Sequence, residues 1–199
     1  AGRLDAARLE DCFRKILARH EALRTRFGIE NDELTQRVVP LAEIDFAVER
    51  RDCPADGFTA AAEAFIRPFE LDRAPLFRVL LLSDGADRHA LVMDAHHIVV
   101  DGLALNILAR ELMALYEGRA LPPLTVRPLD AVATQAAYLD SAACKEDAAW
   151  WRARYASLPP LLELPLDQPR PPRRSHRGGD CLALVDKQAT AALKAAAKS

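Results

Sequence analysis

Leu9, Phe13, Ile16 and Leu17 recur at i, i+4, i+7 and i+8, the spacing of one helical face, and predict a helix over Leu4 to His20. The pattern then shortens. Leu23–Gly28 and Leu34–Pro40 flank the turn-rich Glu30-Asn31-Asp32-Glu33 and predict a hairpin. Residues 46–51 read as a further strand, and Asp56 or Thr59 is placed to cap a helix running to about Arg67. Two apolar strands come next, Leu76–Ser83 and His89–Ile98, separated by the turn signal Asp84-Gly85. Beyond Asp101-Gly102, Leu105, Leu108, Leu112 and Leu115 mark one side of a helix that Gly118 stops. Leu121-Pro122-Pro123 breaks the chain, and one or two alanine-rich helices occupy roughly 130–157 around Trp150-Trp151. Pro159 to Pro172 holds six of the thirteen prolines and reads as an extended connector. A short strand, Cys181–Val185, and a helix, Lys187–Lys198, complete the pattern. Strands interleaved with helices in this way predict an α/β layer architecture.

Composition narrows the class. Of 199 residues, 50% are hydrophobic, 28% charged and 6% aromatic, enough apolar material for one or two cores and too much for a disordered chain. No apolar run approaches the length of a membrane span. A net charge of −2 argues against a general binder of nucleic acid or anionic membranes. Arg3, Asp5, Arg8 and Glu10 make the opening residues unlike a signal peptide, so the reading is cytoplasmic. Cys12, Cys53, Cys144 and Cys181 form no CxxC pair and no zinc-ligand pattern, and are expected to be reduced and mostly buried. A chain that opens inside a helical pattern is expected to be a piece of something larger.

The candidate chemistry centres on Asp94-Ala95-His96-His97-Ile98-Val99-Val100-Asp101-Gly102. If the strand continues through the histidines, His97 shares a face with Leu91, Met93 and Ala95, while His96 shares the other with Val92 and Asp94. The two rings then cannot chelate one metal, and no metal site is expected. A histidine at the end of an apolar strand is suited to general-base work near neutral pH; the plain alternative is a buried imidazole satisfied by a carbonyl. Asp101 reads as the N-cap of the next helix, as a buried carboxylate paired with an arginine, or as both. Gly102 permits a tight turn and the close approach of a substrate.

At these residues the chain resembles a known family. His96-His97-Ile98-Val99-Val100-Asp101-Gly102 matches the HHxxxDG signature of nonribosomal peptide synthetase condensation domains. Arg19-His20-Glu21-Ala22-Leu23-Arg24-Thr25-Arg26-Phe27 matches that family's second core motif, RHExLRTxF, at every fixed position. HHxxxDG alone is shared by several acyltransferase relatives; both motifs in order are specific. Pro128-Leu129-Asp130-Ala131-Val132 resembles a degenerate fourth motif, and Trp150-Trp151 and the later Pro-Arg run look like the stretch beyond that motif in such domains.

The resemblance implies a chloramphenicol-acetyltransferase-like lobe, a mixed β-sheet flanked by helices. It divides the chain into an N-terminal lobe over 1–158, a Pro/Arg-rich connector over 159–179 and the start of a further strand–helix segment over 180–199. The family's first core motif and second lobe are not found in the sequence, so the isolated chain is expected to be inactive. The implied reaction is acyl transfer from a carrier-bound thioester to the amine of a carrier-bound aminoacyl group. His97 is the implied catalytic residue, as general base or as a hydrogen-bonding group that orients the amine. His96 is implied to be structural. Asp101 is expected to pair with an arginine of the second motif, Arg19 first and Arg24 second. No cofactor is expected to bind directly; phosphopantetheine arms arrive on donor and acceptor carrier proteins, and adjacent synthetase domains and the second lobe are the other partners. Arg170, Arg173, Arg174 and Arg177 could meet an acidic carrier surface or a phosphate, with a solvated loop as the plain reading. The rival readings are an epimerization domain, a starter or stand-alone acyltransferase, and a non-catalytic carrier-docking module. A cyclization domain is disfavoured, because that subtype replaces the histidine signature with an aspartate motif.

Overall fold

The computed structural model describes residues 2–160, 162–173, 175, 178–179 and 181–198. They fall into two compact units, Ala1–Trp151 and Arg152–Ser199. In the first, helix α1 (Ala6–Arg19) starts where the Asp5 carboxylate accepts the Ala7 and Arg8 N–H groups at 3.0 Å. Its apolar face buries Leu9, Cys12, Phe13, Ile16 and Leu17. A 3₁₀ turn, Glu21–Arg24, leads into the antiparallel hairpin β1 (Thr25–Glu30) and β2 (Glu33–Val38).

Asn31 and Asp32 at the hairpin tip have φ of 52° and 63°, the left-handed pair that a two-residue turn between twisted strands requires. Asn and Asp tolerate this region, but glycine enters it without a Cβ penalty. Asp32→Gly is therefore expected to stabilise the protein by about 0.5–1 kcal/mol, read as a higher urea midpoint at unchanged slope. A lower midpoint would contradict the turn geometry.

The main sheet holds β3 (Val48–Asp52), β4 (Phe77–Asp84) and β5 (Arg88–Ala95) in that order. β3 runs parallel to β4, with helix α2 (Phe58–Phe65) in the connection, and β5 returns antiparallel from the turn at Gly85. β4 is central and buried on both faces: Phe77, Val79, Leu80, Leu81 and Leu82 are each 3% exposed or less. Phe77, Val79 and Leu81 pack with α1 and with Leu108 and Leu112 of α3 (Gly102–Tyr116). Leu80 and Leu82 pack on Phe65 of α2. Alternation along one strand thus creates two apolar layers, and the result is a mixed sheet flanked by helices, as the α/β pattern implies. Phe13, Phe46 and Phe77 fill the larger layer with ring centroids 5.9–6.2 Å apart.

Helices α4 (Pro128–Leu139) and α5 (Ala142–Arg154) resolve the alanine-rich stretch into two, and neither buries a residue. The Tyr138 hydroxyl donates to Asp147 at 2.5 Å, which pushes the phenol pKa up to about 12. In the second unit, helix α6 (Lys187–Ala196) begins at Asp186, whose carboxylate accepts the Ala189 N–H at 2.8 Å. Among the described residues, no helix is long and apolar enough to cross a membrane.

Several local expectations are corrected. Neither Asp56 nor Thr59 caps α2: Pro54 opens a 3₁₀ turn over Ala55–Gly57, Asp84 takes the Ala55 N–H at 3.2 Å, and the helix ends at Phe65 rather than Arg67. β5 stops at Ala95, three residues short of Ile98. Cys181–Val185 forms no ladder among the described residues, and its Leu182 and Leu184 are 88% and 91% exposed, without the neighbour that a strand needs. Of the four cysteines, all free, Cys12 alone is buried.

Candidate active site

β5 ends because the next residue, a histidine, binds its own backbone. The His96 N–H still donates to the Leu76 carbonyl at 3.0 Å, extending the ladder by one residue. Its ring Nδ1 then accepts the Ile98 N–H at 3.1 Å, and its carbonyl accepts the Val99 N–H at 3.1 Å. A side chain that serves as a local acceptor competes with strand continuation, and the chain turns. Because Nδ1 accepts, the ring proton sits on Nε2. Phe69 meets the same ring edge to face, with centroids 6.2 Å apart and planes at 89°. The strict two-face alternation expected for His96 and His97 therefore ends at Ala95.

His97 lies in this turn and is exposed. With Ile98, Val99, Val100, Asp101 and Ala104 it lines an open depression of about 300 Å³. Val100, buried, fastens the turn to the core. Asp101 caps α3, its carboxylate accepting the Ala104 N–H at 2.7 Å. Gly102 is the first residue of α3 and lies outside the left-handed region, so the backbone does not demand glycine there. A Cβ added at Gly102 would meet nothing within 4 Å, which leaves open space over the helix start.

The arginines of the second motif go elsewhere than expected. Arg19 Nε donates to Glu111 at 3.1 Å, and His20 Nε2 donates to the other oxygen of the same carboxylate at 2.6 Å. The three side chains are only 14–20% exposed. Arg24 donates to the Val39 carbonyl at 2.7 Å and lies 3.6 Å from Glu21, pinning the hairpin. Asp101 pairs with neither arginine. The cap at Ala104 uses its carboxylate, whereas Glu111 projects from the Leu108–Leu112–Leu115 side of α3 toward the end of α1 and reaches Arg19 instead.

Glu111 is the residue that sequence reasoning missed. Its signal was present: a single carboxylate at i+3 from Leu108 on the apolar stripe of α3 has to find a cation or pay for its burial. It ties the second motif to the helix that follows the histidine turn. His20, Ala22 and Leu23 share a cavity of about 100 Å³ with Val99, Val100 and Ala104 from the histidine turn and the start of α3.

Chemically, an imidazole beside open space at the mouth of a helix can hydrogen-bond to, or take a proton from, a nucleophile held in the depression. Among the described residues no three His, Cys, Asp or Glu side chains group as metal ligands. Arg170 and Arg173 are exposed, and Arg174 and Arg177 lie outside the described residues.

Residues 1–199 match the family profile of the condensation domain. The chain is 38% identical over 198 residues to bacitracin synthase 3 of Bacillus licheniformis, covering 100% of this chain and 3% of that protein. It is similar to the X-domain from teicoplanin biosynthesis at 29% identity and a TM-score of 0.72, covering 89% of this chain and 42% of that one. A further likeness, of fold alone at 23% identity and a TM-score of 0.72, is to the epimerization domain from the third module of tyrocidine synthetase B, with 83% of this chain and 40% of that one covered. The chain thus spans a small part of the curated relative and about two-fifths of the solved domains.

Proposed function

The chain belongs to the condensation-domain family of nonribosomal peptide synthetases, and from that membership we propose that it is the His97-bearing part of a domain that forms an amide between two carrier-bound substrates. The observation that carries this reading is the exposed His97 on a turn backed by the cavity that residues of both motifs line. In the proposed reaction the acceptor amine attacks the carbonyl of the donor thioester, a C–N bond forms, the C–S bond breaks and the thiolate leaves, taking up the proton that the amine releases. His97 acts on the amine through an unprotonated ring nitrogen, whether it holds the amine in line or takes its proton. His96, Asp101, Arg19 and Arg24 shape the turn and its supports rather than touching substrate.

In this reading residues 1–158 form the lobe, 159–179 the connector and 180–199 the start of the next strand–helix segment. A second lobe completes the site, and donor and acceptor carrier proteins bring their substrates on phosphopantetheine arms within a cytoplasmic, antibiotic-type synthetase. The test is a single-turnover reaction of the intact parent protein with loaded donor and acceptor carriers, read by mass spectrometry. Amide product on the acceptor carrier supports the assignment. A folded parent that makes no amide but exchanges the α-hydrogen of the donor residue is an epimerase. One that binds carriers and does neither is a docking module.

Gly102 offers a second check. Because a Cβ there meets nothing in the protein, Gly102→Ala should leave stability unchanged or raise it by up to about 1 kcal/mol. Condensation should nonetheless fall at least tenfold, because the substrate passes over the start of α3. A wild-type rate from the folded variant would remove Gly102 from the substrate path.

A further inference from the structure

Behind the histidine turn lies an ion pair that the proposed chemistry does not use. Arg78 on β4 and Asp94 on β5 face each other in the strand register. Arg78 Nε donates to Asp94 at 2.8 Å, with the side chains only 14% and 15% exposed. The guanidinium also lies over Phe69, 3.9 Å from the ring centroid, and donates to the Arg67 carbonyl. Phe69 in turn meets the His96 ring edge to face. Four side chains thus form one continuous contact from the centre of the sheet to the imidazole whose Nδ1 holds the turn.

We infer that Arg78 and Phe69 are positioning residues: Arg78, anchored by Asp94, fixes the Phe69 ring, and Phe69 fixes the rotation of His96 and so the turn that presents His97. The inference rests on the condensation reading for its effect on rate. His96 keeps Nδ1 on the Ile98 N–H only in one orientation of its ring, and a half-turn of that ring breaks the bond. Phe69 lies against the same ring and limits that rotation from the side. Phe69 belongs to the loop before β4 and is itself held by the cation above its face.

Only arginine can serve both contacts. Its planar fork can stack on an aromatic face and bind a carboxylate at once, whereas a lysine keeps the charge and loses the plane. A part-buried ion pair is weak support for stability, since removing two charges from water offsets their attraction. Its consequence here is orientation, and orientation at a reacting group is costly to lose: a displacement of about 1 Å can reduce a rate on the order of 100-fold.

The test compares Arg78→Lys, Phe69→Leu and Phe69→Tyr in the intact parent protein. Arg78→Lys and Phe69→Leu should lower the single-turnover rate at saturating acceptor at least tenfold, with the half-saturating acceptor concentration within twofold of wild type. Phe69→Tyr, which keeps the ring, should restore the rate to within threefold. A readout independent of activity is carbethoxylation by diethyl pyrocarbonate, mapped by tandem mass spectrometry. His97 should modify fast and His96 slowly in wild type, and His96 should speed up at least fivefold in Arg78→Lys and Phe69→Leu. If the folded variants keep both the wild-type rate and the slow His96, the inference is overturned. If wild type makes no amide, the condensation reading falls separately, and the His96 modification rate still decides whether Phe69 holds the ring. Should Arg78→Lys fail to fold, Phe69→Leu decides alone.

Discussion

Replacing His97 by alanine is expected to lower the single-turnover rate of condensation by about 10²–10⁴-fold, the range that a positioned proton-transfer group contributes. The fold should not notice. His97 is exposed, lines an open depression and lies outside the apolar clusters, so its removal opens no cavity. The thermal midpoint should stay within about 2 °C of wild type. His96→Ala is the instructive contrast: it strips the acceptor from the Ile98 N–H and the partner from Phe69, so it should lose both stability and rate. The measurement is product formed in one turnover between loaded carriers, with circular dichroism on the same samples. Equal rates from His97→Ala and wild type would discard the mechanism while leaving the fold and the family untouched.

The largest stability effect is expected at Glu111. Glu111→Ala strands Arg19 and His20, which share its carboxylate at 3.1 and 2.6 Å in a largely buried setting. Charge-assisted hydrogen bonds lost from one side, with the cation left behind, put the cost at about 3 kcal/mol. Removing the carboxylate and the guanidinium together, as in Arg19→Leu with Glu111→Leu, should recover part of it, because only the His20 ring N–H then lacks its acceptor. Pulse proteolysis across a urea series on the intact protein would measure both variants. A loss below about 0.5 kcal/mol for Glu111→Ala would mean that water screens the cluster as it does an ordinary surface pair.

The two predictions also mark what the sequence could and could not disclose. The elements of the first unit were legible because they are written in pattern: the i, i+4, i+7, i+8 face of α1 and the apolar run of β4 are buried as they require, and the α3 stripe is buried at Leu108 and Leu112 although Leu105 is 38% exposed. The motif residues were legible as types in order. Their partners were not. Asp101 and Glu111 are both acids on α3, and only the packing of α1 against α3 decides which one Arg19 meets. The early end of β5 was hidden for another reason. Alternation describes side chains that face away from their own backbone, and His96 turns back onto it. Cys181–Val185 has the residues of a strand, but a strand is defined by its neighbour, and composition cannot supply one.

Helix α3 carries Asp101 at its first cap and Glu111 ten residues on, about 15 Å along its axis. The start of α3 is tied to the histidine turn and Glu111, in its second half, to the end of α1, so this stretch of α3 serves as a rigid strut between the two motifs. Such a strut makes their openings one event. In hydrogen exchange the amides of Ile98 and Val99 should share a protection level with those of His20 and Leu23, although the two groups lie far apart in sequence. Loosening the strut at Glu111 should then speed exchange at Ile98 by the same factor as at Leu23, so that the histidine turn feels a change made ten residues along the helix from its cap.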